Sequence, residues 1–295
     1  MDGAQELRRV ACDLCSADDP HLLFTKDDRS VVRCGRCGLA YVSPRPGPEG
    51  LTGLYRDASY YRNANACPYG YGDYLADRPL LEHAAAARVA GIERRRPARG
   101  RLLDIGCATG VLLETASARG WSVCGVEVSD FAARVCRERG LSVHHGDLAS
   151  AGLAAGSFDV AVCDDTIEHL PSPRAALVEL HRVLAPGGLL VLQTPNEQGL
   201  LRRLMGPHWF HFKPLEHLYY FAPDTLGRLL AGAGFRVLDV GATSRPVSVR
   251  YLLGRLRTYH ARGAARLDRV LARASLASRP FWLPVGELVL YAERV

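Results

Sequence analysis

The sequence is short of the features that take a chain into or through a membrane. No apolar run approaches the ~18 to 20 residues needed to span a bilayer. The N-terminus, Met1-Asp-Gly-Ala-Gln-Glu-Leu-Arg-Arg9, has no apolar stretch of the kind that leads a secreted protein. Lysine is nearly absent, at Lys26 and Lys213, so the modest net charge of +6 is carried by arginine. Disulfide patterning is also missing: of nine cysteines, four fall in two C-x-x-C pairs and the rest are scattered through apparent strands and helices. A cytoplasmic protein with reduced thiols is expected. With 295 residues and 48% apolar content, the chain can build one large domain with an appendage, or two domains.

The most informative stretch present is Arg101-Leu-Leu-Asp-Ile-Gly-Cys-Ala-Thr-Gly110, a short apolar strand that breaks into a glycine turn and runs into a helix. Such a junction lets a ligand lie against the main chain and face the amides of the helix start. A dinucleotide site places G-x-G-x-x-G here, whereas this chain has Ala108 in place of the middle glycine and a carboxylate, Asp104, at the strand end. A carboxylate repels phosphate and attracts an ammonium group. Glu127, 23 residues on at the end of the next apolar run, suits the two hydroxyls of a ribose. S-adenosylmethionine has both groups and no phosphate.

On these residues the chain resembles the class I S-adenosylmethionine-dependent methyltransferases. The likeness runs through Leu103–Gly110, Gly125-Val-Glu-Val128, His145-Gly-Asp-Leu148, Phe158–Asp164 and Arg182–Gly188, and covers residues 80 to 243. It implies that Asp104, Gly106 and Gly110 surround the methionine part, Glu127 the ribose and Asp147 the adenine amino group, with Cys107, Val128, Leu148 and Asp164 also binding the cofactor. Strands are expected at 101–105, 122–127, 141–145, 158–163 and 188–194, alternating with helices at 110–119, 130–139 and 173–184. The fold class is therefore α/β, Rossmann-like, and the resemblance adds a hairpin of 235–243 with 287–293 to complete a mixed seven-stranded sheet.

Cys12-Asp-Leu-Cys15 and Cys34-Gly-Arg-Cys37 stand 18 residues apart, the spacing of a four-cysteine zinc ribbon. Four thiolates close a tetrahedron and leave no position open for chemistry, so the expected metal is structural Zn2+. The organisation read from the sequence is a ribbon over 1–45, a Tyr/Pro/Gly-rich connector over 46–79 and a methyltransferase domain over 80–295, with a helical insertion at about 247–278. The connector tyrosines at 55, 60, 61, 69, 71 and 74 either pack the ribbon on the main domain or roof the pocket.

Methyl transfer to a hydroxyl needs a base, and two histidines follow acids: Glu168-His169 and Glu216-His217. The second pair, in Glu216-His-Leu-Tyr-Tyr220, resembles the zinc-containing deoxysugar C-methyltransferases. That likeness makes His217 the base and Glu216 its partner at the acceptor; the opposing reading has His217 packing among tyrosines. Those enzymes carry a further C-terminal domain of considerable size, whereas this sequence is expected to stop soon after its last strand, so the resemblance does not carry the deoxysugar substrate over. Asp165-Thr-Ile-Glu-His169 is similar to the ubiquinone-pathway O-methyltransferases, in which such a run holds a divalent metal such as Mg2+; otherwise it lines the pocket. His208, Trp209, His211 and Phe212 are expected to form a lid.

Eight arginines between Arg250 and Arg279 face one acid, Asp268. They make either a solvated helix face or a surface for an acidic partner, a nucleotide-linked or carrier-bound substrate or RNA. Against RNA amino-nitrogen methylation, the chain has Asp164-Asp-Thr-Ile where an Asn/Asp-Pro-Pro-aromatic signature belongs. The expected function is methylation of a small molecule by S-adenosylmethionine, at a hydroxyl of a sugar or specialised metabolite, with C-methylation, RNA methylation and a non-catalytic cofactor sensor as rivals.

Overall fold

A computed structural model describes residues 6–47, 50–51, 61, 75–249, 251–252 and 279–295. The central sheet contains β6 (Arg101–Ile105), β7 (Ser122–Glu127), β8 (Val143–His145), β9 (Phe158–Asp164), β10 (Leu184–Pro195), β12 (Phe235–Val247) and β13 (Phe281–Arg294). Their order is β12-β13-β10-β9-β6-β7-β8, with β6 to β10 parallel and β13 inserted antiparallel between β10 and β12. Strands buried on both faces read as continuous apolar runs. Leu102-Leu103, Val160 to Cys163 and Leu190 to Leu192 are accordingly inaccessible to solvent.

Helices Arg78–Arg95 (α1), Val111–Ser117 (α2), Asp130–Glu138 (α3), Pro173–Val183 (α4), Leu200–Met205 (α5) and Pro223–Gly232 (α6) complete the described framework. Their starts follow local chemistry: the Ser129 hydroxyl accepts from Ala132 N (3.4 Å) and the Ser172 hydroxyl from Ala175 N (3.1 Å), with Pro173 opening α4.

The hairpin is longer than the sequence suggests. The expected ends stop short of Ser244-Arg-Pro and Pro284, yet pairing continues to Val247 opposite Phe281. Proline forfeits only one ladder donor and is tolerated on an edge strand, which β12 is, while Pro284 lies beyond the stretch of β13 that pairs β10.

The N-terminal strands β2 (Pro20–Lys26), β3 (Arg29–Cys34) and β4 (Ala40–Val42) form a second sheet, to which Tyr219–Tyr220 (β11) adds against β4, and the short strands β1 (Leu7–Arg8) and β5 (Arg45–Pro46) pair with each other. Side chains tie this sheet to the α/β core: Asp13 accepts from the Ser172 hydroxyl (2.8 Å) and Arg174 N (2.7 Å), and Arg228 donates to the Cys37 carbonyl (2.6 Å). Against this sheet Trp209 (0% exposed) and Phe212 pack with Val31, Ala40, Val42 and Tyr220. The expected lid is thus corrected. Trp209 and Phe212 are core, because the added strand brings an apolar wall to them. The greater part of the connector, with all its tyrosines but Tyr61, and nearly all of the arginine-rich segment lie outside the described residues.

Candidate functional site

The carboxyl ends of the parallel strands open onto a cavity of about 730 Å3, within the range of small-molecule sites. Asp104 stands at the end of β6, 5% exposed and deep in that wall. Burial, followed by the nearby Asp164, holds its carboxyl well above the ordinary range, and no hydrogen bond from a described residue reaches it. A buried, unsupported carboxylate costs a fold several kcal/mol, which a cation placed beside it offsets.

After Asp104 the chain turns at Gly106 (φ +71°) and enters α2 through Gly110 (φ +79°). A Cβ on Gly110 lies only 2.5 Å from the Leu141 side chain, so the position is restricted by space as well as by backbone angle. Ala108 is also left-handed, at φ +47°. Glu127 holds it there: Oε2 accepts from Ala108 N and Oε1 from Ser129 N, both at 2.8 Å. Tyr61 O–H lies 3.4 Å from Oε1 and Tyr61 lines the cavity. Burial raises the Glu127 carboxyl and these amide bonds oppose it. Each carboxylate oxygen has two lone pairs, so acceptor capacity remains.

Asp147 follows β8 and accepts from Ser150 N (2.7 Å), which lowers its pKa. Asp164 ends β9, where burial raises it and Arg88 of α1 (2.7 Å) counters. The cavity therefore gathers Asp104, Gly106, Cys107, Glu127, Val128, Asp147, Leu148, Asp164 and His169. Gly110 shapes the turn from outside the wall, and Glu216 and His217 are buried away from it.

His169 sits in a 3₁₀ turn, Ile167–His169, directly after β9. Its Nδ1 lies 3.0 Å from the carbonyl oxygen of Glu216, and burial lowers its pKa to about 4. His217 (5% exposed) stands edge-on behind it, ring centres 4.7 Å apart, and burial lowers it likewise.

The alternative reading of Asp165, Glu168 and His169 as a metal set finds no assembled site. Asp165 (φ +48°) turns to pair with Arg245, and the group with potential ligand atoms within 4.8 Å is Glu168, His169 and His217. Glu168 meanwhile accepts from the Thr194 hydroxyl (3.0 Å).

Sequence reasoning passed over Arg88, Gln193 and Arg245. Arg88 links Asp164 to Gln193 (2.5 Å), Gln193 donates to Glu287 (3.1 Å), and Arg245 joins Asp165 to Glu287 (2.7 Å). In this network only Asp164, at a strand end, and Asp165, in the Asp165–His169 run, carried a signal.

In the N-terminal part Cys12, Cys15, Cys34 and Cys37 converge with sulfurs within 4.8 Å, Cys12 to Cys37 at 3.4 Å and Cys15 to Cys34 at 3.5 Å. Ligands at the Zn–S bond length of a tetrahedral site stand about 3.8 Å apart. The donor set and its compactness fit zinc.

A family model described as a methyltransferase domain matches residues 74–240, more than half the chain. The chain is 30% identical over 181 residues to the ubiquinone biosynthesis O-methyltransferase of Pseudomonas paraeruginosa, covering 56% of this chain and 78% of that protein. Its counterpart in Thiobacillus denitrificans is 29% identical over 213 residues, covering 67% and 91%. Among solved structures, an S-adenosylmethionine-dependent methyltransferase from Archaeoglobus fulgidus superposes with a TM-score of 0.51 at 20% identity, covering 75% of this chain and 99% of that one, and shares the fold. With the seven-stranded sheet and its acidic rim, these matches show that the chain belongs to the methyltransferase domain family and is an S-adenosylmethionine-dependent methyltransferase.

Proposed function

We propose that the chain transfers the methyl group of S-adenosylmethionine to a hydroxyl of a small, uncharged acceptor such as a sugar or another specialised metabolite, with His169 as the base. The carrying observation is His169 itself, a neutral imidazole on the wall of the cavity that holds the strand-end acids. The O-methyltransferase relatives support the same outcome.

In this reading Asp104 takes the ammonium group, Glu127 the ribose hydroxyls and Asp147 the adenine amino group, between Val128, Leu148 and Cys107. The bound sulfonium supplies an electrophilic methyl. The chain aligns the acceptor and removes its proton. The Glu216 carbonyl can only accept, so it fixes the proton of His169 on Nδ1 and puts the basic lone pair on Nε2. Glu168 Oε1, 3.9 Å from Nε2, stabilises the imidazolium once the proton has moved. His217 and Glu216 thereby become positioning residues.

Both guanidiniums on the described cavity wall, Arg88 and Arg245, are ion-paired with Asp164 and Asp165. This favours an uncharged acceptor over an acidic or nucleotide-linked one. The four-cysteine cluster holds structural Zn2+. Burial pushes the Cys12 and Cys37 thiols up, and a cation beside them keeps them ionised. No helix of the described residues is long and apolar enough to cross a membrane.

The test is release of S-adenosylhomocysteine when the protein and S-adenosylmethionine are offered pooled small-molecule extract or total RNA separately. Release with extract, and a new O–CH3 signal in the product, supports the proposal; release with RNA alone, or a new C–CH3, overturns the acceptor.

A further inference from the structure

The stretch that carries His169 is fastened from outside the α/β core. His169, Leu170, Pro171 and Ser172 all line the cavity. On one side, Val42 N of β4 donates to the Leu218 carbonyl (2.9 Å), and Leu218 N donates to the Glu168 carbonyl (2.8 Å). On the other, Arg45 of β5 donates from Nη2 to the Pro171 carbonyl (2.7 Å), which also accepts from the Tyr219 hydroxyl (3.1 Å). Asp13, between Cys12 and Cys15, then accepts from the Ser172 hydroxyl (2.8 Å) and from Arg174 N (2.7 Å).

Arg45 is kept there at a cost. It is 6% exposed, it has no carboxylate partner among the described residues, and its Nη1 is buried without a hydrogen-bond partner among them. The Tyr219 hydroxyl (2.8 Å) and ring (4.9 Å to the centre) ease it only in part. A buried cation without a counter-charge destabilises a fold, and an apolar side chain of similar size in its place is often neutral or stabilising. What Arg45 holds is the carbonyl two residues after His169, and Asp13 grips the chain again at the very next residue.

We propose that Arg45 and Asp13 are positioning residues for methyl transfer: they clamp the Glu168–Arg174 segment to the N-terminal part and thereby set where His169 stands in the cavity. The Glu216 carbonyl orients the imidazole, and the clamp fixes the main chain that carries it. Asp13 is presented by the turn of the first cysteine pair, in which Ser16 N donates to the Cys12 carbonyl (2.7 Å). The N-terminal part is then a component of the reacting site and not an appendage to it. Displacing a reacting group by about 1 Å can cost about 100-fold in rate, so a loosened anchor is read in turnover before it is read in folding.

The effect on turnover rests on His169 being the base; the clamp itself does not. Full-length parent, Arg45→Met, Asp13→Ala and Asp13→Asn are compared at a temperature where circular dichroism shows each of them folded. The plateau rate of S-adenosylhomocysteine release is read with increasing pooled small-molecule extract, affinity for S-adenosylhomocysteine by calorimetry, and amide hydrogen exchange across residues 168–174 by mass spectrometry. Arg45→Met and Asp13→Ala should each lower the plateau rate about tenfold or more, keep the affinity within about twofold and speed exchange across the segment. Arg45→Met should also keep or raise Tm, which an arginine of purely structural use would not allow. Asp13→Asn, whose side-chain oxygen still accepts from Arg174 N, should recover most of the rate. On a His169→Ala background neither Arg45→Met nor Asp13→Ala should lower the rate further. A plateau rate within about twofold of the parent in Arg45→Met and Asp13→Ala, or a rate loss that repeats in full on the His169→Ala background, overturns the proposal. If His169→Ala keeps the parent's rate, or the parent releases nothing, the base reading is what fails, and faster or unchanged exchange across 168–174 then upholds or overturns the clamp.

Discussion

The two ends of the cavity are built from very different lengths of chain. At the end proposed for the cofactor Asp104, Glu127, Asp147 and Asp164 each close or follow a strand, and the backbone that carries them is held by local bonds such as those of Ala108 and Ser129 to Glu127. At the acceptor end His169 takes its orientation from a carbonyl at residue 216, Gln193 comes from β10, Arg245 from β12 and Trp282 from β13. The first end is a property of the strand–turn–helix unit; the second exists only once distant elements have docked. This is what a scaffold serving many acceptors needs: a cofactor grip set by short-range geometry, and an acceptor wall that can change without disturbing it.

The comparison breaks most severely at His169. His169→Ala should lower turnover about 100-fold or more, the scale of general base catalysis, and leave S-adenosylhomocysteine affinity within about twofold. Should His217→Ala stop turnover while His169→Ala does not, the base belongs to His217. Trp209→Ala comes next: as a fully buried ring packed with the N-terminal sheet it should cost about 3 to 5 kcal/mol in urea unfolding, with cofactor affinity retained. A stable variant with an altered acceptor KM restores the lid. Cys12→Ser with Cys15→Ser should lose zinc by elemental analysis and lower Tm by about 5 °C or more; a metal-free double variant of unchanged Tm ends the zinc assignment.

The smallest effect is in pH. His169, kept neutral by burial at about 4 against an ordinary 6.5, contributes stability that is complete above pH 6.5. That contribution, at most about 3 kcal/mol, is lost as pH falls toward 4. Glu287, pushed up to about 7 by burial, works in the opposite sense: its contribution is complete below pH 4.5 and is lost as pH rises through 7. Glu287→Gln removes the falling limb, so its Tm should climb more steeply from pH 5 to 7 than that of the parent. Equal slopes contradict the buried acid.

The same contrast explains what was legible in the sequence. The parallel strands announce themselves because each is an apolar run with its own turn, and the acids at their ends follow from the period. Docked elements announce nothing locally. Tyr219–Tyr220 is two residues long, and only its partner β4 makes it a strand that carries Trp209 and Phe212 into the core. His169 and His217 look alike as Glu-His pairs; only the tertiary structure sets one on the cavity and the other behind it. Asp165 likewise reads as a ligand beside Glu168 and His169 until Arg245, 80 residues away, claims it.

The central claim is that Asp104 is retained at a cost to the apo fold because it holds the cofactor. Calorimetry of S-adenosylmethionine binding, paired with Tm, on the parent chain and Asp104→Ala tests it directly. The account predicts a loss of affinity well over tenfold with an apo Tm unchanged or higher, since a buried carboxylate without a hydrogen-bond partner among the described residues has been removed. Unchanged affinity would contradict it.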